Sequence, residues 1–150
     1  MQGHIFEVTP TIDTAAYTAN DQVGGIQTIT GVNASGFNLA FLKSVVVVDE
    51  AKQKAALTIF LFDELPTVAS SNNAAIDIVD AQLTAKCIGH VTVAAGDYQD
   101  VSAGSVACVR VEMPVKPNKV NGTIYAVAMT TGTPTYGAAD DLTFKYAFQW

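Results

Sequence analysis

Residues 42–62, LKSVVVVDEAKQKAALTIFLF, constrain the fold of this chain more than any other stretch. Two apolar runs rich in β-branched residues flank a short charged segment at residues 49–54. This pattern predicts a β-hairpin, or at least two adjacent antiparallel strands, with the charged turn in solvent. Both faces of each run are apolar. We therefore expect inner strands that are covered on both sides, or strands of which one face meets another subunit.

Further strands are predicted from the alternation of apolar and polar residues, which is clearest in residues 141–150. Residues 72–86 are the one stretch with a helical stripe, and we expect one or two turns from about Ala74 and a second short piece around residues 80–84. Together these patterns predict an all-β fold: an antiparallel β-sandwich, jelly-roll-like, with about eight strands and one short helical insertion.

The domain organisation follows from length and from where the pattern is weakest. A chain of 150 residues is long enough for one domain with its own core. We predict a single β-sandwich domain over residues 26–150. Residues 9–25 have the least internal pattern, so residues 1–25 are predicted to form an extended N-terminal arm that packs on the domain or on a neighbour.

Composition and charge exclude several classes of partner. Hydrophobic residues make up 49% of the chain and charged residues only 15%, which favours an assembly subunit with a weakly polar surface. The net charge is −6 and Arg110 is the single arginine, so we expect no direct nucleic-acid binding. No stretch has the length of a membrane span, and residues 1–10 lack the features of a secretory signal, so we expect no membrane association and synthesis in a cytoplasm.

The residue types that carry catalysis or bind metals form no recognisable set. His4 and His90 are the only histidines, no G-x-S-x-G elbow accompanies them, and with Cys87 and Cys108 they lack the spacing of a zinc site. We predict a non-enzymatic protein without catalytic residues, metal or cofactor, and two buried free thiols. Solvated turns are expected at the acidic pairs Asp49-Glu50, Asp63-Glu64 and Asp140-Asp141.

Two aromatic residues outside the core pattern are candidates for an interface. Tyr136 lies in a Pro/Gly loop and Trp150 follows the last strand pattern. Large aromatic side chains often anchor protein contacts, although ordinary edge packing explains both positions equally well.

Short motifs spread over most of the chain form one further pattern. They are Thr9-Pro10, Asp13-Thr14, Tyr17, residues 21–25, the apolar run leading to Asp49 with Lys52-Gln53 after it, Leu61-Phe62-Asp63 with Pro66, and residues 132–136 before Asp141-Leu142. Together they resemble tailed-phage virion structural proteins of the capsid decoration (cement) type.

The resemblance implies a jelly-roll-like sandwich that binds the exterior of an icosahedral phage head at junctions between major capsid proteins and stabilises the shell. Its partners would be the major capsid protein and copies of itself, as a dimer or trimer. Its location would be the capsid exterior of the virion, after synthesis in the host cytoplasm. The residues predicted to form the interface are Thr9, Pro10, Asp13, Tyr17, Asp21, Val23, Tyr136 and Trp150.

Two alternatives remain open at this point. One is a head-fibre base or tail-associated virion protein on the same fold. The other is a carbohydrate-binding β-sandwich module that uses exposed aromatic residues, for which Tyr98, Tyr136 and Trp150 are the candidates.

Overall fold

The computed structural model describes residues 2–32 and 39–150, and in these ranges the chain is almost entirely β-structure. All strand pairs are antiparallel. In chain order, the elements are β1 (Gly3–Val8), β2 (Gln22–Ile29), β3 (Ala40–Asp49), β4 (Leu57–Phe62), α1 (Asp80–Lys86), β5 (Cys87–Val93), a 3-10 helix (Ala95–Asp97), β6 (Tyr98–Asp100), β7 (Ser105–Val115), β8 (Ile124–Thr130) and β9 (Leu142–Gln149).

The strands form two sheets, in the orders β1-β9-β3-β7-β6 and β2-β8-β4-β5. Apart from the short β6 and the connection from β4 to β5, each connection crosses from one sheet to the other. The first strand lies beside the last. This is the strand order of a jelly roll, so the predicted jelly-roll-like β-sandwich is confirmed.

The helical prediction is right only in its second half. Helix α1 occupies Asp80–Lys86, as the short piece around residues 80–84 predicted. The turn expected near Ala74 is wrong: Ala75 forms an isolated antiparallel bridge with Asp21 instead. Ala74 itself accepts a hydrogen bond from the backbone N–H of Gln22, at 2.8 Å. This stretch therefore satisfies its backbone against β2, not within a helix.

The hairpin predicted for residues 42–62 is wrong in its pairing. Strand β3 lies between β9 and β7 in one sheet, whereas β4 lies between β8 and β5 in the other. The charged segment thus crosses between sheets, and Lys52 and Lys54 have positive φ angles of 54° and 49° there. Both strands are inner strands, as their apolar pattern predicted. Alternation indicates which face is buried, but it does not say which strand is the neighbour.

The side chain of Asp49 binds the backbone of the segment that crosses between the sheets. This side chain is fully buried, and its two carboxylate oxygens accept hydrogen bonds from the backbone N–H groups of Ala51 (3.0 Å) and Lys54 (2.7 Å). Burial raises the pKa of the Asp49 carboxyl, and the backbone hydrogen bonds oppose that shift. The prediction of a solvated turn is therefore wrong at Asp49, because its carboxylate replaces solvent as the acceptor for the N–H groups of Ala51 and Lys54.

The core lies between the two sheets, and β9 contributes several of its largest side chains. The predicted alternation of this strand is confirmed. Tyr146 is fully buried, and its hydroxyl donates to Oε1 of Gln27 on β2 at 2.7 Å, which links the two sheets inside the core. The inward side chains of β9, each at most 2% exposed, are Leu142, Phe144, Tyr146 and Phe148.

Residues 9–21 lie against the sandwich and connect β1 to β2, so both ends of the predicted arm, residues 1–25, belong to strands of the two sheets. Tyr17 is 1% exposed, and its ring lies edge-on to Tyr136 with 5.9 Å between centroids. Its hydroxyl accepts from the backbone N–H of Asp13 and donates to Oδ1 of Asn72, both at 2.7 Å. Contact of residues 1–25 with a neighbouring subunit stays a prediction.

A glycine is required where this segment meets β2. Gly24 has a φ of 74°, and a Cβ atom there would lie 2.8 Å from Cβ of Pro10. The pairing of β2 with β8 shifts register between Val23 and Gln27, so Gly24 lies in a bulge. Any other side chain would have to displace Pro10 and adopt a left-handed backbone.

We expect the substitution Tyr17→Phe to lower the free energy of unfolding by about 1–3 kcal/mol, because two buried hydrogen bonds lose their shared hydroxyl. Urea unfolding followed by circular dichroism measures the change. The matched control is Tyr125→Phe, since the half-buried Tyr125 hydroxyl has no hydrogen-bond partner among the described residues. Equal effects of the two substitutions would contradict this account of the segment.

Candidate interaction surface

The two sheets differ in how their outer faces are covered. The connection from β4 to β5, residues 63–86, lies over the four-stranded sheet. Phe60 of β4 meets Ile76, Ile78 and Leu83 of this connection around a gap of about 130 Å³. Val127, which pairs with Phe60, is fully buried although it belongs to the outer face. The centre of this outer face, at Phe62 and Val127, is therefore apolar and buried.

The outer face of the five-stranded sheet has no such cover. Helix α1 packs against β5 of the other sheet, and no described helix or strand lies over this side. Phe41 is 41% exposed and Ile5 is 62% exposed, which are high values for large apolar side chains on strands. We call this the bare face, and define it by Ile5, Phe41, Val46, Val48, Val106, Cys108 and Ala147.

Pairing across the strands determines how the side chains of the bare face are arranged. Val46 of β3 lies between Cys108 of β7 and Lys145 of β9, and Val48 lies beside Val106. Ile5 of β1 pairs with Ala147 of β9. Small and β-branched side chains thus form a strip across four strands, which Ser44 and Lys145 interrupt between Val46 and Ala147. Such side chains lose little conformational entropy when a partner covers them.

Ion pairs border the strip. Lys43 binds Glu112, Nε of Arg110 lies 3.3 Å from Oε1 of Glu112, and Nζ of Lys145 lies 3.2 Å from Oε2 of Glu7. The hydrogen bond from Lys43 is the main cause of a lowered pKa at Glu112. These groups are exposed, so they add little to folding stability. Because Lys145 is the cross-strand neighbour of Val46, the bare face mixes apolar and charged side chains, as protein–protein interfaces do.

The titratable side chains are not gathered into a site. His4 lies on β1 and His90 on β5, in different sheets, and both are exposed. In residues 2–32 and 39–150, no group of three His, Cys, Asp or Glu side chains is placed to hold a metal ion. No helix in the same ranges has the length and apolarity needed to cross a membrane. The absence of enzymatic activity stays a prediction.

The two cysteines are free, but neither is buried. The expectation of two buried thiols is therefore wrong. Cys108 is exposed because it lies on the outward-facing register of β7, opposite Val46. Cys87 begins β5 and is half-buried, with Sγ 3.6 Å from the carbonyl oxygen of Gly89.

The residues predicted to form an interface are not brought together on one surface. Five of them lie inside the chain: Pro10, Tyr17, Asp21, Val23 and Tyr136. Asp21 accepts hydrogen bonds through Oδ2 from the backbone N–H and hydroxyl of Thr18, at 2.7 and 2.8 Å. Folding of the monomer already accounts for the burial of these five side chains.

The other three, Thr9, Asp13 and Trp150, remain at least partly accessible. Oγ1 of Thr9 lies 2.9 Å from Oγ1 of Thr143, Oδ2 of Asp13 accepts from Asn73 at 3.1 Å, and Trp150 packs beside Phe6. Interface contacts by these three stay predictions. The bare face was not among the predicted interface residues, although its signal was present in β3, whose two faces are both apolar.

The carbohydrate-binding alternative loses most of its aromatic candidates. Tyr136 is 2% exposed, so it cannot stack on a sugar without unfolding of its loop. Tyr98 is half-buried and its hydroxyl donates to the carbonyl of Ala55 at 3.1 Å. Trp150 is half-buried against Phe6. No exposed aromatic platform remains among these three residues.

Comparison with known protein families and with curated proteins gives no match. Among solved structures, the chain is similar to one from the native virion of Kashmir bee virus at neutral pH. The identity is 9%, the alignment covers 99% of this chain and 70% of that chain, and the TM-score is 0.29. A likeness at this TM-score supports no inference about function.

We expect the free protein to contain one fast-reacting and one slow-reacting thiol. Cys108 is exposed on the bare face and should be labelled first by a maleimide or a disulfide reagent, whereas the half-buried Cys87 should lag. Cys108→Ser should abolish the fast phase, and Cys87→Ser should leave it unchanged. If both thiols reacted at one rate, the bare face would not be open in the free protein.

Proposed function

We propose that this chain is a non-enzymatic virion structural protein of the capsid decoration type, which binds the outer surface of an icosahedral phage head at junctions between major capsid proteins. The bare face is the observation that carries the proposal. A β-sandwich that covers one outer face with its own chain and leaves an apolar strip on the other has a surface suited to a protein partner. The domain-wide sequence resemblance supplies the identity of that partner.

The physical mechanism is burial of the bare face against capsid protein. Apolar burial contributes about 25 cal/mol per Å² removed from water. A specific and stable contact covers roughly 1,200–2,000 Å² in total. A subunit that spans a junction binds two capsid proteins at once. Separation of those proteins then requires loss of the decoration contact as well, which raises the stability of the shell.

The ion pairs of the bare face fit this mechanism. Lys43, Arg110 and Lys145 are basic residues beside the strip in a chain with a net charge of −6. Lys43 and Arg110 share Glu112, and Lys145 pairs with Glu7, so two acidic side chains offset most of the charge of the three basic ones. The face is therefore close to neutral, and it can approach a protein surface without strong repulsion of either sign. A homo-oligomer is a further part of the proposal.

We expect purified protein to rebind heads of its parent phage that were assembled without it. Co-sedimentation measures the binding, and release of packaged DNA on heating measures the stability of the head. Bound protein should raise the release temperature, and the effect should saturate with occupancy. Absence of rebinding to heads, together with binding to isolated tails, would instead favour a tail-associated virion protein.

We expect Val46→Glu to weaken head binding at least about tenfold, which corresponds to about 1.4 kcal/mol. The new carboxylate would lie beside Lys145, so the free subunit should remain folded, but removal of an added charge from water under a partner is costly. The matched control is Thr92→Glu, at an exposed position on β5 of the other sheet. Equal loss of binding in both variants would show that the bare face is not the contact.

A further inference from the structure

The four edges of the two sheets are not equally protected against pairing with another strand. Edge strand β2 contains the Gly24 bulge, and β5 shifts register opposite residues 61–62. Strand β6 has three residues, and the part of β7 beyond it carries Glu112, with a φ of 57°, and Pro114. Bulges, short strands and proline are the usual features that block edge-to-edge association.

Strand β1 has none of these features. It pairs with β9 over Gly3–Val8 without a register shift and lies at the end of its sheet. It contains no proline and no lysine. Open clefts of about 550 and 520 Å³ flank it, and both include Gly3 and His4 in their walls. Among the described residues, β1 is thus the one edge strand with a regular, accessible backbone.

The hydrogen bonds to β9 determine which backbone groups of β1 are free. Gln2 and Trp150 exchange two hydrogen bonds, at 2.8 and 2.9 Å. Hydrogen-bonded and non-hydrogen-bonded pairs alternate along an antiparallel ladder. The backbone N–H and C=O groups of the even-numbered residues of β1 therefore face β9. The N–H and C=O groups of Gly3, Ile5 and Glu7 therefore point away from the sheet. Three consecutive free donor–acceptor sets form a template for a further strand.

The side chains of β1 match a second copy of the same strand. In an antiparallel pair with a two-fold axis at Ile5, Ile5 lies opposite Ile5 of the other copy, and Gly3 lies opposite Glu7. Every free N–H and C=O group then finds a partner. The two Glu7 side chains are kept about 14 Å apart along the strands, and each stays beside its own Lys145. Ile5, 62% exposed in the monomer, is covered by its symmetry mate.

We propose that β1 pairs with β1 of a second copy of this chain about a two-fold axis at Ile5, joining the two five-stranded sheets into one sheet of ten strands. The occupant of the edge is a second copy because the pattern Gly3-Ile5-Glu7, paired with itself, places the small Gly3 opposite the long Glu7 and no like charges opposite each other. The interface does not depend on the capsid role, since it forms between free subunits.

Size-exclusion chromatography with light scattering tests the proposal on the full chain. Wild-type protein should have twice the monomer mass at high micromolar concentration. Ile5→Pro removes an N–H group that does not bond to β9, so it should give a folded monomer. Ile5→Lys places like charges opposite each other across the two-fold axis, so it should also give a folded monomer. Ile5→Val keeps the N–H group and the apolar side chain, and should remain dimeric.

Thermal unfolding of each variant establishes that it is folded. A wild-type protein that is monomeric throughout the concentration range overturns the proposal. A dimer that persists in both Ile5→Pro and Ile5→Lys also overturns it. If the wild-type dimer did not bind heads, the proposed function would be refuted, but the dimer proposal would be unaffected.

Cysteine cross-linking tests the register in a background in which Cys87 and Cys108 are replaced by serine. Ile5→Cys should form a disulfide-linked dimer on mild oxidation, because hydrogen-bonded partners have Cα atoms about 5.5 Å apart. Glu7→Cys alone should not cross-link, since its symmetry mate is about 14 Å away. Cross-linking through residue 7 and not through residue 5 would overturn the two-fold register.

Discussion

Strand β9 is the element on which the rest of the fold depends. It is hydrogen-bonded to β1 on one side and to β3 on the other, so it joins the first and third strands of the chain into one sheet. Three of its inward side chains, Phe144, Tyr146 and Phe148, are among the largest in the core, and Tyr146 connects them to Gln27 of the opposite sheet. Because these partners are distant in sequence, the sheet forms only after long loops have closed, which favours slow and cooperative folding.

The jelly-roll order also explains why only one outer face is covered. Every long connection crosses between sheets except the one from β4 to β5, which begins and ends in the four-stranded sheet. Residues 63–86 therefore stay on that side, and Ile76, Ile78 and Leu83 close over Phe60. No connection of comparable length is available to the five-stranded sheet among the described residues. The lack of cover over its valine-rich outer face is thus a consequence of topology.

The sequence was sufficient for the class of fold but not for the partner of each strand. Alternation in β9 and the apolar runs of β3 and β4 indicate strands and buried faces correctly, since side-chain direction has a period of two. The assignment of β3 and β4 to different sheets depends on positive φ angles at Lys52 and Lys54 and on the buried carboxylate of Asp49. Neither signal is visible in a charged segment that resembles an ordinary solvated turn. The interface residues Tyr17 and Tyr136 were misplaced for a related reason: an aromatic residue in an irregular segment can anchor its own loop as readily as a partner.

Ile5 links the bare face to the free edge of β1. Its side chain lies on the outer face of the sheet, and its backbone N–H and C=O groups point away from β9. A dimer through β1 therefore places two bare faces side by side in one continuous sheet. A partner that repeats with matching two-fold symmetry would meet both faces at once, and the second contact would form at high effective concentration. Each face alone can then be modest in area, which is consistent with a strip built from small side chains and bordered by exposed ion pairs. The twist of a ten-stranded sheet would curve this combined surface, so its fit to a partner would depend on the dimer and not on the subunit alone.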